Sequence, residues 1–121
     1  MAIRDEQQPP QPAAARISTG LSALRAKFLD ELPHRILRLE GAMIALRNDV
    51  PDPDAAAQIK NDLHRLSGIS ATLGFEEIGR TAGSLEARLD ALPAKQQSSA
   101  IVDDLASDLE NLLEMMESSL P

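Results

Sequence analysis

The chain has 121 residues, 43% apolar and 26% charged, the proportions of one globular domain with a core of its own. Nineteen acidic against twelve basic residues give a formal net charge of −7, and the aromatics are two Phe with no Trp or Tyr, which excludes a nucleic-acid reader. There is no Cys for disulfides, thiolate metal sites or thiol nucleophiles, and no apolar run approaches the ~18 residues of a membrane span.

Residues 1–17, rich in Gln, Pro and Ala, lack periodicity and read as a disordered tail. They also lack the continuous apolar core of a secretion signal, so a cytoplasmic protein is expected, with its domain over 18–121. From there Leu21, Leu24, Phe28, Leu32, Ile36, Leu39, Met43 and Leu46 recur every three or four residues, as in an amphipathic helix facing a core. Pro33 either kinks this helix or cuts it into a short helix and a main one. "NDVPDPD" stops it and starts the next, with Asp52 as N-cap ahead of Pro53. The second helix should span about 53–73, with Ile59, Leu63, Leu66, Ser70 and Leu73 inward and Gly74 ending it. A third runs from about 75 to 92, with Ile78, Ala82, Leu85 and Leu89 among its inward residues, and Pro93 closes it. A fourth begins near Ser98 or Ser99, with Val102, Leu105, Leu109, Leu112 and Met116 inward. Nothing alternates like a strand. The pattern predicts an all-α, antiparallel up-down four-helix bundle with a short or kinked N-terminal helix.

The chemistry concentrates in "DLHRLSGISATLG", residues 62 to 74. On a helical wheel with Ile59 at zero, the buried stripe lies within about 40° of zero and His64 at about 140°. The ring therefore faces away from the core, among Ala57, Lys60, Ser67, Gly68 and Ala71. Glycine inside a helix costs about 1 kcal/mol relative to alanine. That cost makes sense where a partner's backbone must come close. An imidazole, with an ordinary pKa of about 6.5, is neutral enough near pH 7 to act as a nucleophile. Each part also has a plainer reading: a surface His, a tolerated Gly, a solvated Lys.

"HRLSG" within "DLHRLSGISATLGFEEIGRTAGSLEARL", on the second long helix of a bundle, resembles the histidine-containing phosphotransfer (HPt) domains of multistep phosphorelays. Their usual pattern is His-x-Leu-Lys-Gly, followed by a Leu-Gly step into the next helix. His64, Leu66 and Gly68 match, and Leu73-Gly74 falls at that step. The likeness covers about residues 20 to 118, and "FLDELPHRILRLEGAM" is similar to the family's preceding helix. It departs at Ser67, where the family commonly has a Lys that helps hold the phosphoryl group. Serine donates one hydrogen bond but carries no charge, so Lys60 or Arg65 would have to supply the cation.

The resemblance implies a phosphocarrier rather than an enzyme. His64 would accept a phosphoryl group from the aspartyl phosphate of a response-regulator receiver and pass it to another, downstream of a (hybrid) sensor histidine kinase. No metal or cofactor is expected in this chain, because the receiver brings Mg²⁺ and the acidic pocket. Lys60, Arg65 and Ser67 would support the phosphoryl group. Gly68, Ala71, Ala57, Arg35 and Arg38 would form the docking surface, with Arg38 roughly level with His64 and the basic cluster steering toward an acidic partner. Neither nucleic acid nor membrane is expected as a partner, and the chain is expected to be a monomer. The alternative is an HPt-like bundle that only binds receivers or another partner and takes no phosphate. A di-iron carboxylate bundle needs two Glu-x-x-His motifs. Glu31 to His34 forms one, but Asn61 stands where the second requires Glu.

Overall fold

In the computed structural model, which describes residues 13–48 and 52–121, the periodicities become five helices and, among those residues, no strand. They are α1 (Ala13–Leu46), α2 (Pro53–Thr72), α3 (Glu76–Asp90), α4 (Ala94–Asp103) and α5 (Ala106–Ser118).

The N-terminal helix is not short, and it is not cut in two. It runs unbroken for 34 residues with Pro33 inside it, at an exposed position where the missing N–H costs one hydrogen bond. It starts at Ala13, inside the stretch assigned to the tail, because three successive alanines are the best helix formers available. The rest of that tail, residues 1–12, lies outside the described residues. Asp52 does cap α2: its side chain accepts the Asp54 N–H at 2.9 Å. Gly74, at φ +89°, takes the left-handed turn that stops α2 and lets the chain reverse into α3.

The fourth periodic stretch is two helices, and it opens earlier than Ser98. Gln97 explains the early start. Its buried side-chain amide donates to the Leu89 and Leu92 carbonyls at 3.0 and 3.2 Å, satisfying acceptors at the end of α3. The chain then breaks at Asp104 and Leu105, whose N–H groups both bond the Ala100 carbonyl, before α5 begins.

Lys60 pairs with Asp90, His64 with Glu86, Ser67 meets Gly83 and Ala71 meets Gly79. Numbers rise along α2 as they fall along α3, so these helices run antiparallel. Arg38–Asp62 and Arg25–Leu73 relate α1 to α2 in the same way, and Thr81–Met115 and Arg88–Asp108 relate α3 to α5. All five predicted stripe residues of α2 are buried, and Leu32, Ile59, Leu63, Leu89, Leu109 and Leu112 lose all contact with solvent. The stripe of α1 is a different matter. It is buried from Phe28 onward, whose ring packs 4.9 Å from that of Phe75, but Leu21 and Leu24 are exposed where the periodicity predicts core. They precede Arg25, the residue that reaches the end of α2, and so have no helix to pack on.

Candidate functional site

Helix α2 offers small residues to α3, and α3 answers with glycines. A Cβ at Gly79 would lie 3.1 Å from the Ala71 amide nitrogen and 3.3 Å from the Ser67 carbonyl oxygen. One at Gly83 would lie 2.9 Å from Ser67 Oγ. The two backbones therefore approach more closely than side chains at these positions would allow. Further along the same face of α3, this approach brings Glu86 to His64 and Asp90 to Lys60.

Glu86 Oε2 lies 2.7 Å from His64 Nδ1. A carboxylate only accepts, so Nδ1 carries the hydrogen and donates it, which leaves the lone pair of the neutral ring on Nε2. The His64 side chain is 72% exposed and that of Glu86 only 19%, so a fixed anchor holds a protruding ring. The sequence reading did not single out Glu86. The signal was there: with Gly74 as the turn, Gly79, Gly83 and Glu86 recur at helical spacing on one face, opposite Ala71, Ser67 and His64.

The small residues around His64 divide into two groups. Ser67 is half-buried with its hydroxyl against Gly83, and the backbone at Ala71 forms the contact with Gly79. Both serve the α2–α3 contact. Gly68 is exposed, with open space where a Cβ would stand, and Ala57 is exposed as well, as is Ala71, which meets Gly79 through its backbone. Of the cations, Lys60 Nζ sits 2.6 Å from Asp90 Oδ1, its charge engaged on the α3 side. Arg65 is exposed and has no ion-pair partner among the described residues.

Arg35, Arg38 and Arg65 come together, though not around the imidazole. With His34, Asp30, Glu31 and Asp62 they line a groove of about 430 Å³ between α1 and α2, floored by Leu39, Leu63 and Leu66. Arg38 bonds Asp62 at 3.1 Å and Arg35 lies 3.8 Å from Glu31. This groove is on the α1 flank of α2, whereas the His64 ring is tied to α3. No cluster of three or more acidic and histidine side chains able to hold a metal occurs among the described residues. Nor is any described helix long and apolar enough to cross a membrane.

No curated protein and no solved structure matches the chain. The family model of the Hpt domain, a phosphocarrier module of histidine phosphotransfer in phosphorelays, matches residues 5–119. With all five helices inside that match, the chain belongs to the Hpt domain family.

Proposed function

We propose that the protein is the histidine phosphotransfer intermediate of a two-component phosphorelay, with His64 as phosphoacceptor. The observation that carries this reading is the 2.7 Å contact between His64 Nδ1 and Glu86 on a ring that is 72% exposed. In this reading α1, α2, α3 and α5 are the four members of an up-down bundle, and α4 is the short link into the last.

A receiver domain docks on the face opened by Gly68, Ala57 and Ala71, with Arg35 and Arg38 at its α1 margin. The Nε2 lone pair forms the N–P bond as the P–O bond to the receiver's aspartate breaks, and the carboxylate leaves with that electron pair. The hydrogen stays on Nδ1, donated to the Glu86 carboxylate, whose charge offsets the positive charge the ring gains on phosphorylation. Phosphoryl transfer needs positioning and charge neutralisation more than covalent catalysis. The receiver's Mg²⁺ supplies most of the neutralisation. On this side Arg65, which follows His64 in the chain, lines the α1 flank and has no ion-pair partner among the described residues, Lys60 stands one turn away on Asp90, and Ser67 offers a hydroxyl at the α2–α3 contact. Onward transfer to another receiver reverses the same step, and a sensor histidine kinase stands upstream.

The test is incubation with a radiophosphorylated receiver. Label should move to the wild-type chain in an acid-labile, base-stable form and should not move to His64→Gln. Label on the His64→Gln chain overturns the assignment. Stoichiometric receiver binding without any transfer replaces it with a purely binding role.

A further inference from the structure

Two cations flank His64 on α2, and the helix sends them to different sides. With Ile59 at zero on the wheel, His64 stands at about 140°, Lys60 at about 100° and Arg65 at about 240°. Lys60 is thus about 40° from the ring and Arg65 about 100° from it. The contacts agree. Lys60 Nζ lies 2.6 Å from Asp90 Oδ1 and His64 Nδ1 lies 2.7 Å from Glu86 Oε2, both partners on α3, whereas Arg65 lines the groove against α1. Residues four apart on a helix have Cβ atoms about 5–6 Å apart. The two pairs are therefore successive rungs, with Lys60 and His64 one turn apart on α2 and Asp90 and Glu86 one turn apart on α3.

The rungs differ in burial. Glu86 is 19% exposed, whereas Lys60 and Asp90 are 36% and 52% exposed. An ion pair this open to water is held weakly, because both charges keep much of their hydration. It changes partner when a stronger anion comes within reach. A phosphoryl group on Nε2 is such an anion: it carries about −1.5 to −2 charge near pH 7, more than a carboxylate, and three acceptor oxygens. Lysine has a flexible four-carbon stem and three rotatable donors with which to follow it.

We propose that Lys60 is the cation of the phosphohistidine and that Asp90 holds it in reserve: on phosphorylation the ammonium leaves the Asp90 carboxylate for the phosphoryl oxygens. This rests on His64 as the phosphoacceptor. No proton moves and no covalent bond changes in the exchange, since Lys60 is an ammonium on either partner and Asp90 is left as a hydrated carboxylate. Asp90 is a positioning residue, acting only through Lys60. In the resting chain it draws the ammonium one turn away from Glu86, so that carboxylate stays with Nδ1. Phosphorylation thereby breaks one ion pair between α2 and α3 and spares the other, which gives the loaded and unloaded carrier different surfaces beside the ring.

The test needs no receiver. Potassium phosphoramidate phosphorylates exposed histidines, and of the two in this chain His34→Gln leaves only His64. In that full-length background, the ³¹P shift of the phosphohistidine followed against pH gives the midpoint at which the phosphoryl group takes its second proton. A cation beside the group favours the dianion, so Lys60→Gln should raise the midpoint by roughly half a pH unit, and Arg65→Gln should leave it in place. Asp90→Asn should lower the midpoint, and by less in a Lys60→Gln chain, because part of its effect is the release of the lysine. An unmoved midpoint in Lys60→Gln, or an equal shift in Arg65→Gln, overturns Lys60 as the cation. An Asp90→Asn shift of the same size with and without Lys60 overturns the hold of Asp90 on it. The phosphohistidine is made chemically, so failure here and failure of receiver transfer are separate results.

Discussion

A neutral imidazole has two tautomers, and a carboxylate 2.7 Å from Nδ1 favours the one with its hydrogen there. Replacing Glu86 by Ala should return His64 toward a mixture of tautomers, visible in its ¹⁵N ring shifts, and slow phosphoryl transfer about tenfold, within the usual worth of a hydrogen bond to a charged group. Glu86→Gln keeps an acceptor but loses the charge and should fall between. Unchanged tautomer populations in Glu86→Ala would remove the positioning role. Gly68 gives the opposite pairing of effects. A Cβ there meets nothing within 4 Å, so Gly68→Ala should stabilise the fold by about 0.5–1 kcal/mol, read by urea denaturation. Gly68→Gln should fold equally well and block transfer. A Gly68→Gln chain that transfers normally would show that the open space around His64 is not used for docking. The outward direction of His64 was legible from one wheel angle, since only the register of α2 decides it. The spacing of Gly79, Gly83 and Glu86 put Glu86 on the facing stripe of α3, but its contact with His64 was not legible, because it depends on how closely α2 and α3 approach at those two glycines.

The contact between α2 and α3 rests on those glycines unequally. At Gly83 the obstacle to a side chain is Ser67 Oγ, the end of a rotatable group, whereas at Gly79 it is the backbone of Ser67 and Ala71. Gly83→Ala should therefore be nearly neutral in stability. Gly79→Val should cost about 1–3 kcal/mol as an overpacked contact and loosen Glu86 from His64, measured by chemical denaturation and the same ring shifts. Equal costs at the two positions would contradict this account. Ser70 is fully buried in the α2 stripe and its hydroxyl has no hydrogen-bond partner, so Ser70→Ala should be neutral or stabilise by up to about 1 kcal/mol. Periodicity predicted these elements well where a neighbour exists along the whole length, as for α2. It misjudged the fourth stretch, where the break at Asp104 and Leu105 has neither Gly nor Pro to announce it and the early start depends on Gln97 reaching back to α3.

At the scale of the molecule, α1 belongs to two environments. A hydrophobic repeat records which face of a helix is apolar but not where the neighbouring helices stop, and α2 stops level with Arg25. Leu21 and Leu24 therefore looked like core residues in the sequence, while Phe28, one turn further on, is 2% exposed. The consequence is a sharp boundary in stability along a single helix. Deletion of residues 1–20 should lower Tm by less than about 3 °C, because the described side chains it removes, Arg16 and Ile17 among them, are exposed. Phe28→Ala removes a ring packed on Phe75 and should cost about 3–5 kcal/mol, unfolding the domain at a far lower urea concentration. If the deletion proved as costly as Phe28→Ala, the N-terminal end of α1 would have to be packed on the body of its own chain, against the exposure of Ile17, Leu21 and Leu24.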